Sequence, residues 1–157
     1  MKFSSQEEYG LRCMLQIARR GEGATMTIPE ISNAEGLSIA HVAKLMRILR
    51  LGGFVESERG QAGGYFLART PVEINVGELL SFLGGRLVEN DFCSTFKGVE
   101  QSCTHSVVDC SVLSLWNMVQ TEVDKVLGTT TLHDLLLAKE THTEKLWTIS
   151  VPKEIEN

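Results

Sequence analysis

Long apolar runs are missing from this 157-residue sequence: the longest, such as Leu135 to Ala138, are far too short to cross a bilayer. The opening MKFSSQEEYG likewise holds no apolar signal-peptide core, so the expectation is a soluble, cytoplasmic protein with no membrane partner. Three prolines against 43% hydrophobic and 22% charged residues exclude a disordered or collagen-like chain. The length suits one domain or two very small ones, which excludes a multidomain enzyme. Also absent are a Gly-rich phosphate loop ahead of a helix, a Cys-His nucleophile signature and a paired-carboxylate motif, so no enzyme is expected. Cysteines are few: Cys13, Cys93, Cys103 and Cys110. Nothing addresses them to an oxidising compartment, and reduced thiols are expected.

Charge is divided unevenly along the chain. Residues 1 to 70 carry nine Lys or Arg against seven Asp or Glu, net +2, while residues 71 to 157 carry six against thirteen, net −7. Between Leu37 and Arg69 the balance is +3, from Lys44, Arg47, Arg50, Arg59 and Arg69 against Glu56 and Glu58. An acidic protein with such a region still attracts phosphates, because attraction depends on charge at the contact.

The pattern predicts a first helix from Ser4 or Ser5 to about Arg20, with Tyr9, Leu11, Met14, Leu15 and Ala18 at helical spacing, ended by Gly21 and Gly23. A second starts at Thr27 with Pro29 in its first turn and Glu30 completing a capping box, and stops near Gly36. A third begins at Ser38 and runs to Leu51 before Gly52 and Gly53. Two helices joined by a tight turn outline a helix-turn-helix, whose second helix lies in the major groove of DNA. In the third helix Val42, Leu45, Met46 and Leu49 share one face, and Ala40, Lys44 and Arg47 lie opposite with His41 alongside. An ordinary amphipathic surface helix has the same pattern. The order of the next elements favours DNA: a strand Phe54 to Ser57, a turn Arg59 to Gly64 and a returning strand Tyr65 to Leu67 make a wing. Ser38, Ala40, His41, Lys44 and Arg47 on the helix, with Arg59, Gly60 and Gln61 in the wing, are the candidate DNA contacts.

Between Arg86 and Asp109 periodicity gives way to polar sequence carrying Cys93, then nine residues, Cys103, then six residues, and Cys110 at the start of a long helix. Thiolates are soft ligands for iron-sulfur clusters or zinc, and a helix N-terminus at Cys110 favours the anion. Structural zinc sites use tight cysteine pairs, which this spacing lacks. Cys13, beside Met14 in the first helix, reads as core. From Cys110 to Leu127, Val112, Leu115, Trp116, Val119, Val123 and Val126 recur at three and four, a stripe suited to the same helix of a second copy or to the chain's own domain.

Glu8-Tyr9-Gly10-Leu11-Arg12, Ser38-Ile39-Ala40-His41-Val42, Arg59-Gly60-Gln61-Ala62-Gly63-Gly64-Tyr65 and Thr131-Leu132-His133-Asp134-Leu135 together resemble the Rrf2 family of bacterial regulators over about residues 1 to 138. The resemblance implies a mainly α fold with a small β-hairpin wing: a winged helix-turn-helix over 1–85, a cluster-binding loop over 86–109, a dimerisation helix and following short helix over 110–138, and a tail over 139–157. It implies a homodimer on a roughly palindromic double-stranded operator, with the stripe at the dimer interface. It further implies an iron-sulfur cluster on Cys93, Cys103 and Cys110. The spacing is wider than the commoner family pattern, which leaves 2Fe-2S and 4Fe-4S open. Leu113 stands where some members place a histidine ligand, and Asn33 where another arrangement does. Glu8 matches the position of a carboxylate ligand supplied across the dimer, with His105 and Asp109 as the other candidates. Ser5 with Glu8 makes a capping-box pattern, but Ser4 with Glu7 fits it equally and leaves Glu8 free. Losing, oxidising or nitrosylating a cluster held this way would alter the angle between recognition helices. The alternative keeps the winged helix without metal, under a thiol switch or a partner protein. Trp147, Ile149 and Val151 alternate in the tail, suggesting a short strand or a packing segment.

Overall fold

A computed structural model describes residues 4–60, 63–85 and 111–140, with side chains through Leu137 in the last span. The chain opens with α1 (Ser5–Arg19), α2 (Ile28–Glu35) and α3 (Ile39–Leu51). Each starts on an oxygen-bearing side chain, as the sequence leads one to expect. Ser4 caps α1 in a box with Glu7, whose carboxylate accepts from the Ser4 amide at 2.7 Å. Thr27 and Glu30 do the same for α2, and Ser38 accepts from the His41 amide at the start of α3. Gly36 closes α2 at φ 67°, a left-handed conformation that costs a residue with a Cβ extra energy. This tight reversal carries the chain from α2 into α3.

The wing is a two-stranded antiparallel hairpin of β1 (Val55–Glu58) and β2 (Gly64–Leu67), with Val55 opposite Leu67. The first strand starts one residue later than expected, because the Phe54 amide donates to Leu49 O at 3.0 Å and closes the end of α3. Met26, between α1 and α2, bridges to Tyr65 through two bonds of 2.8 Å and ties the hairpin to the helices. A further helix, α4 (Val76–Gly84), forms in a stretch where the sequence patterns lead one to expect no element. Its signals are nonetheless present: Asn75 caps the Glu78 amide, and Val76, Leu79, Leu80 and Leu83 are buried on one face.

The long helix α5 (Ser111–Thr129) packs on α4, burying Leu113 and Gln120, and is followed by α6 (Leu132–Glu140). Leu132 N donates to Ile74 O and Val76 N to Thr130 O, both at 2.9 Å, so the chain after α5 returns to the N-terminal body. There α6 lies on α1 and Leu132 is fully buried. The core is continuous: Cys13, Met14 and Ile17 of α1, Ile31 of α2, the four buried residues Val42, Leu45, Met46 and Leu49 of α3, Phe54, Ile74 and Leu79 meet within it. Among the described residues no helix is long and apolar enough to cross a membrane.

Candidate nucleic-acid interface

The first turn and outer face of α3 are open. Ser38, Ala40, Lys44 and Arg47 are exposed, and His41 is half-buried with its ring edge-on to Tyr9 at 5.5 Å between centroids. Arg59 and Gly60 are exposed at the tip of the wing, while Gln61 lies outside the described residues. Arg50 joins the two elements by donating to the Ser57 hydroxyl of β1 at 3.3 Å, which fixes the wing beside the helix. Arg69, part of the positive balance in the sequence, is committed elsewhere. Its guanidinium forms a two-pronged pair with Glu78 at 3.0 and 3.1 Å and sits over the Phe54 ring. The cationic surface available to phosphates is therefore Lys44, Arg47, Arg50 and Arg59, with the hairpin as its edge.

Two residues of this surface are not among the candidate contacts the sequence suggests. Ile39, the first residue of α3, is exposed, and Arg50 bridges to the wing. Helical angle alone does not reveal the place of Arg50, which depends on where β1 returns.

At the start of α1 the capping box belongs to Ser4 and Glu7, so Glu8 is free of that role. Its exposed carboxylate pairs with Arg12 at 3.5 Å. Arg12 in turn holds Glu35, the last residue of α2, at 2.6 Å, and Gln16 donates to the same carboxylate. The Glu35 side chain is only 5% exposed, so this pair is the better shielded of the two. The hydrogen bond and charge of Glu35 raise the Arg12 guanidinium above its ordinary pKa.

Cys13 is fully buried in the core, and burial pushes its thiol up to about 12. It is a neutral thiol at pH 7 and not a thiolate donor. Cys93, Cys103, Cys110, His105 and Asp109 lie outside the described residues, as does the 139–157 tail apart from the first two residues, the end of α6. Cys110 immediately precedes α5, and the described chain stops at Gly85, just after α4. Among the described residues no three His, Cys, Asp or Glu gather to hold a metal. By donor chemistry alone, three thiols and a carboxylate are a set that suits an iron-sulfur cluster, which takes thiolates and tolerates one different ligand.

On α5, Val112, Leu115 and Val126 are 52%, 49% and 63% exposed, while Trp116, Val119 and Val123 are half-buried. Leu113 and Gln120 are buried instead, in the helix that packs on α4. Val112, Leu115 and Val126 thus stand open, while the half-buried Trp116, Val119 and Val123 adjoin the line that is covered within the chain.

A family model described as an iron-dependent transcriptional regulator, Rrf2, matches residues 3–138. The rrf2 protein of Nitratidesulfovibrio vulgaris is 30% identical over 136 residues, 87% of each chain. Among solved structures, T. potens IscR is 30% identical with a TM-score of 0.70, covering 91% of both chains. CymR of B. subtilis, described as its global cysteine regulator, is 28% identical with a TM-score of 0.69, over 87% of this chain and 97% of that one. Curated relatives carry the names of transcriptional regulators rather than enzymes. With a helix-turn-helix, a wing and a family match over most of its length, this chain belongs to the Rrf2 family of winged-helix transcriptional regulators.

Proposed function

We propose that the protein is a cytoplasmic homodimer that binds a roughly palindromic operator and whose affinity is set by an iron-sulfur cluster. The observation that carries this reading is the position of Glu8: its helix is capped by Ser4 and Glu7, so its exposed carboxylate is held by the surface ion pair with Arg12 at 3.5 Å rather than by the cap. Cys93, Cys103 and Cys110 would supply the thiolates, with His105 or Asp109 as the other candidates for the fourth position. The family's iron-dependent description supports the same reading. When bound, the cluster supplies a centre reactive toward oxygen, nitric oxide or changes in redox potential.

The chain's own residues provide the coupling. Glu8 shares Arg12 with Glu35, and Glu35 is the residue before the Gly36 turn into α3. Engaging the Glu8 carboxylate at a partner subunit's site removes it from Arg12, leaving that guanidinium to Glu35 alone. The apolar stripe of α5, covered by the same helix of a second copy, would set the distance between two α3 helices, about 34 Å on successive turns of DNA. Reading and sensing elements are then joined through α1.

The deciding experiment is a visible spectrum with iron and acid-labile sulfide counts on protein purified without oxygen, followed by air and nitric oxide. Stoichiometric iron and sulfide, lost in Cys103→Ser, support the cluster. A colourless protein after anaerobic reconstitution overturns it in favour of a metal-free regulator under a thiol switch or a partner protein, the reading that likeness to a cysteine regulator favours. Glu8→Ala narrows the coupling. If the variant still changes its DNA affinity with cluster state as the native protein does, Glu8 has no part in it.

A further inference from the structure

The third helix opens with an apolar edge that the protein body does not use. Ile39 is 58% exposed, although four other apolar residues of the same helix are buried. Ala40 beside it is exposed as well. At about 100° per residue, Ile39 lies at the border of the buried face, midway in angle between buried Met46 and exposed Arg50, whereas Ala40 lies in line with Lys44 and Arg47. Arg50 reaches Ser57 of β1, so the flank carrying Ile39 is the one turned toward the wing. Side chains in a first turn lean toward the helix N-terminus, the end of a recognition helix that meets base edges. An isoleucine there cannot donate or accept a hydrogen bond. What the major groove offers it is the C5-methyl of thymine, the apolar group among the four bases.

We propose that Ile39, with Ala40 beside it, reads a thymine methyl in each operator half-site. The cationic residues Lys44, Arg47 and Arg59 hold the DNA, and the apolar edge selects sequence. This rests on α3 being the DNA-reading helix of the operator-binding dimer proposed for this protein.

The probe is a duplex recovered by the full-length protein from a randomised pool, with each thymine replaced singly by uracil, which removes the methyl and nothing else. One position in each half-site should weaken binding about fourfold, the effect of exposing one methyl-sized group. Ile39→Ser should bind thymine and uracil duplexes equally at that position, with an unchanged slope of affinity against salt, because no phosphate contact is lost. The uracil series on the native protein needs no variant, so a folding defect does not blur the result. If every uracil duplex binds like its parent, or Ile39→Ser keeps the preference, the proposal is overturned while DNA binding stands. If no duplex is enriched from the pool, the DNA-reading role of α3 falls and this inference falls with it.

Discussion

The two helices that carry apolar stripes, α3 and α5, treat them in opposite ways. In α3 all four apolar residues of the inner face, Val42, Leu45, Met46 and Leu49, are buried against α1, α2 and the start of the wing. In α5 the chain covers Leu113 and leaves Val112, Leu115, Met118 and Val126 open to solvent. A stripe of similar spacing is thus completed within one chain in the first case and left incomplete in the second. The difference separates a helix whose apolar face is used up by its own core from one that packs on α4 and still leaves apolar side chains for the proposed partner surface. For a regulator this division is useful. In the proposed dimer the reading helix would stay rigid relative to its body, and adjustment would be confined to how two bodies are held.

The sharpest way to break that comparison is to damage both stripes. Leu49→Ala in α3 should cost about 2–5 kcal/mol, through lost burial and the cavity left behind. Because the site lies within one chain, denaturant unfolding should report that loss at every protein concentration. Leu115→Glu in α5 should instead convert a dimer to a monomer in sedimentation, with helical circular dichroism retained. A charged residue there is solvated in the monomer but has no partner in an apolar interface. A Leu115→Glu protein that stays dimeric would remove α5 from the proposed interface.

A second test moves to the join between the two regions. Gly84, at the end of α4, lies where an added Cβ would fall 2.2 Å from the Glu7 carboxyl carbon. Glu7 is buried and holds the Ser4 amide, so it cannot swing away without uncapping α1. Gly84→Ala should therefore cost about 1–3 kcal/mol, as overpacked sites do, read from the shift in denaturant midpoint at constant slope. If the change is neutral, α1 and α4 have room to separate, and the start of α1 is less firmly tied to the residues preceding the cysteine stretch.

Much of the fold is legible in the sequence alone. Ser4, Thr27, Ser38 and the Gly36 turn are local signals, and local chemistry decides the three helix starts. Cys13 is legible as core because it falls on the buried side of α1. The helix α4 is harder to read, though Asn75, Glu78 and the spacing of Leu79, Leu80 and Leu83 mark it. Its short run lies between two more conspicuous motifs. Other features depend on contacts distant in sequence and leave no local trace. Arg69 counts as free charge until α4 brings Glu78 to it, and the return of Leu132 to Ile74 is fixed by packing around α1. The position of Glu8 is half legible: two overlapping capping boxes are written there, and the structure uses the one with Glu7.

The smallest effect expected is on acid stability, and it sharpens the comparison by testing the completed body alone. Glu30, Glu73 and Asp134 all sit below their ordinary carboxylate pKa, chiefly through hydrogen bonds from Thr27, Thr70 and Thr131 at the starts of their turns. A carboxylate with a lowered folded-state pKa binds its proton more readily in the unfolded chain. The stability it confers is therefore present above the ordinary carboxylate range and lost as pH falls through the folded-state value, from about pH 5 downward. All three groups are exposed, so solvent screens each contribution and the decline should be shallow. Glu30→Gln isolates one of them, because glutamine keeps a capping side chain but does not titrate. Its melting temperature should fall less than that of the native protein between pH 7 and pH 3. An equal fall in both proteins would place the acid sensitivity in other carboxylates, and the Thr27–Glu30 box would then contribute the same stability protonated as ionised.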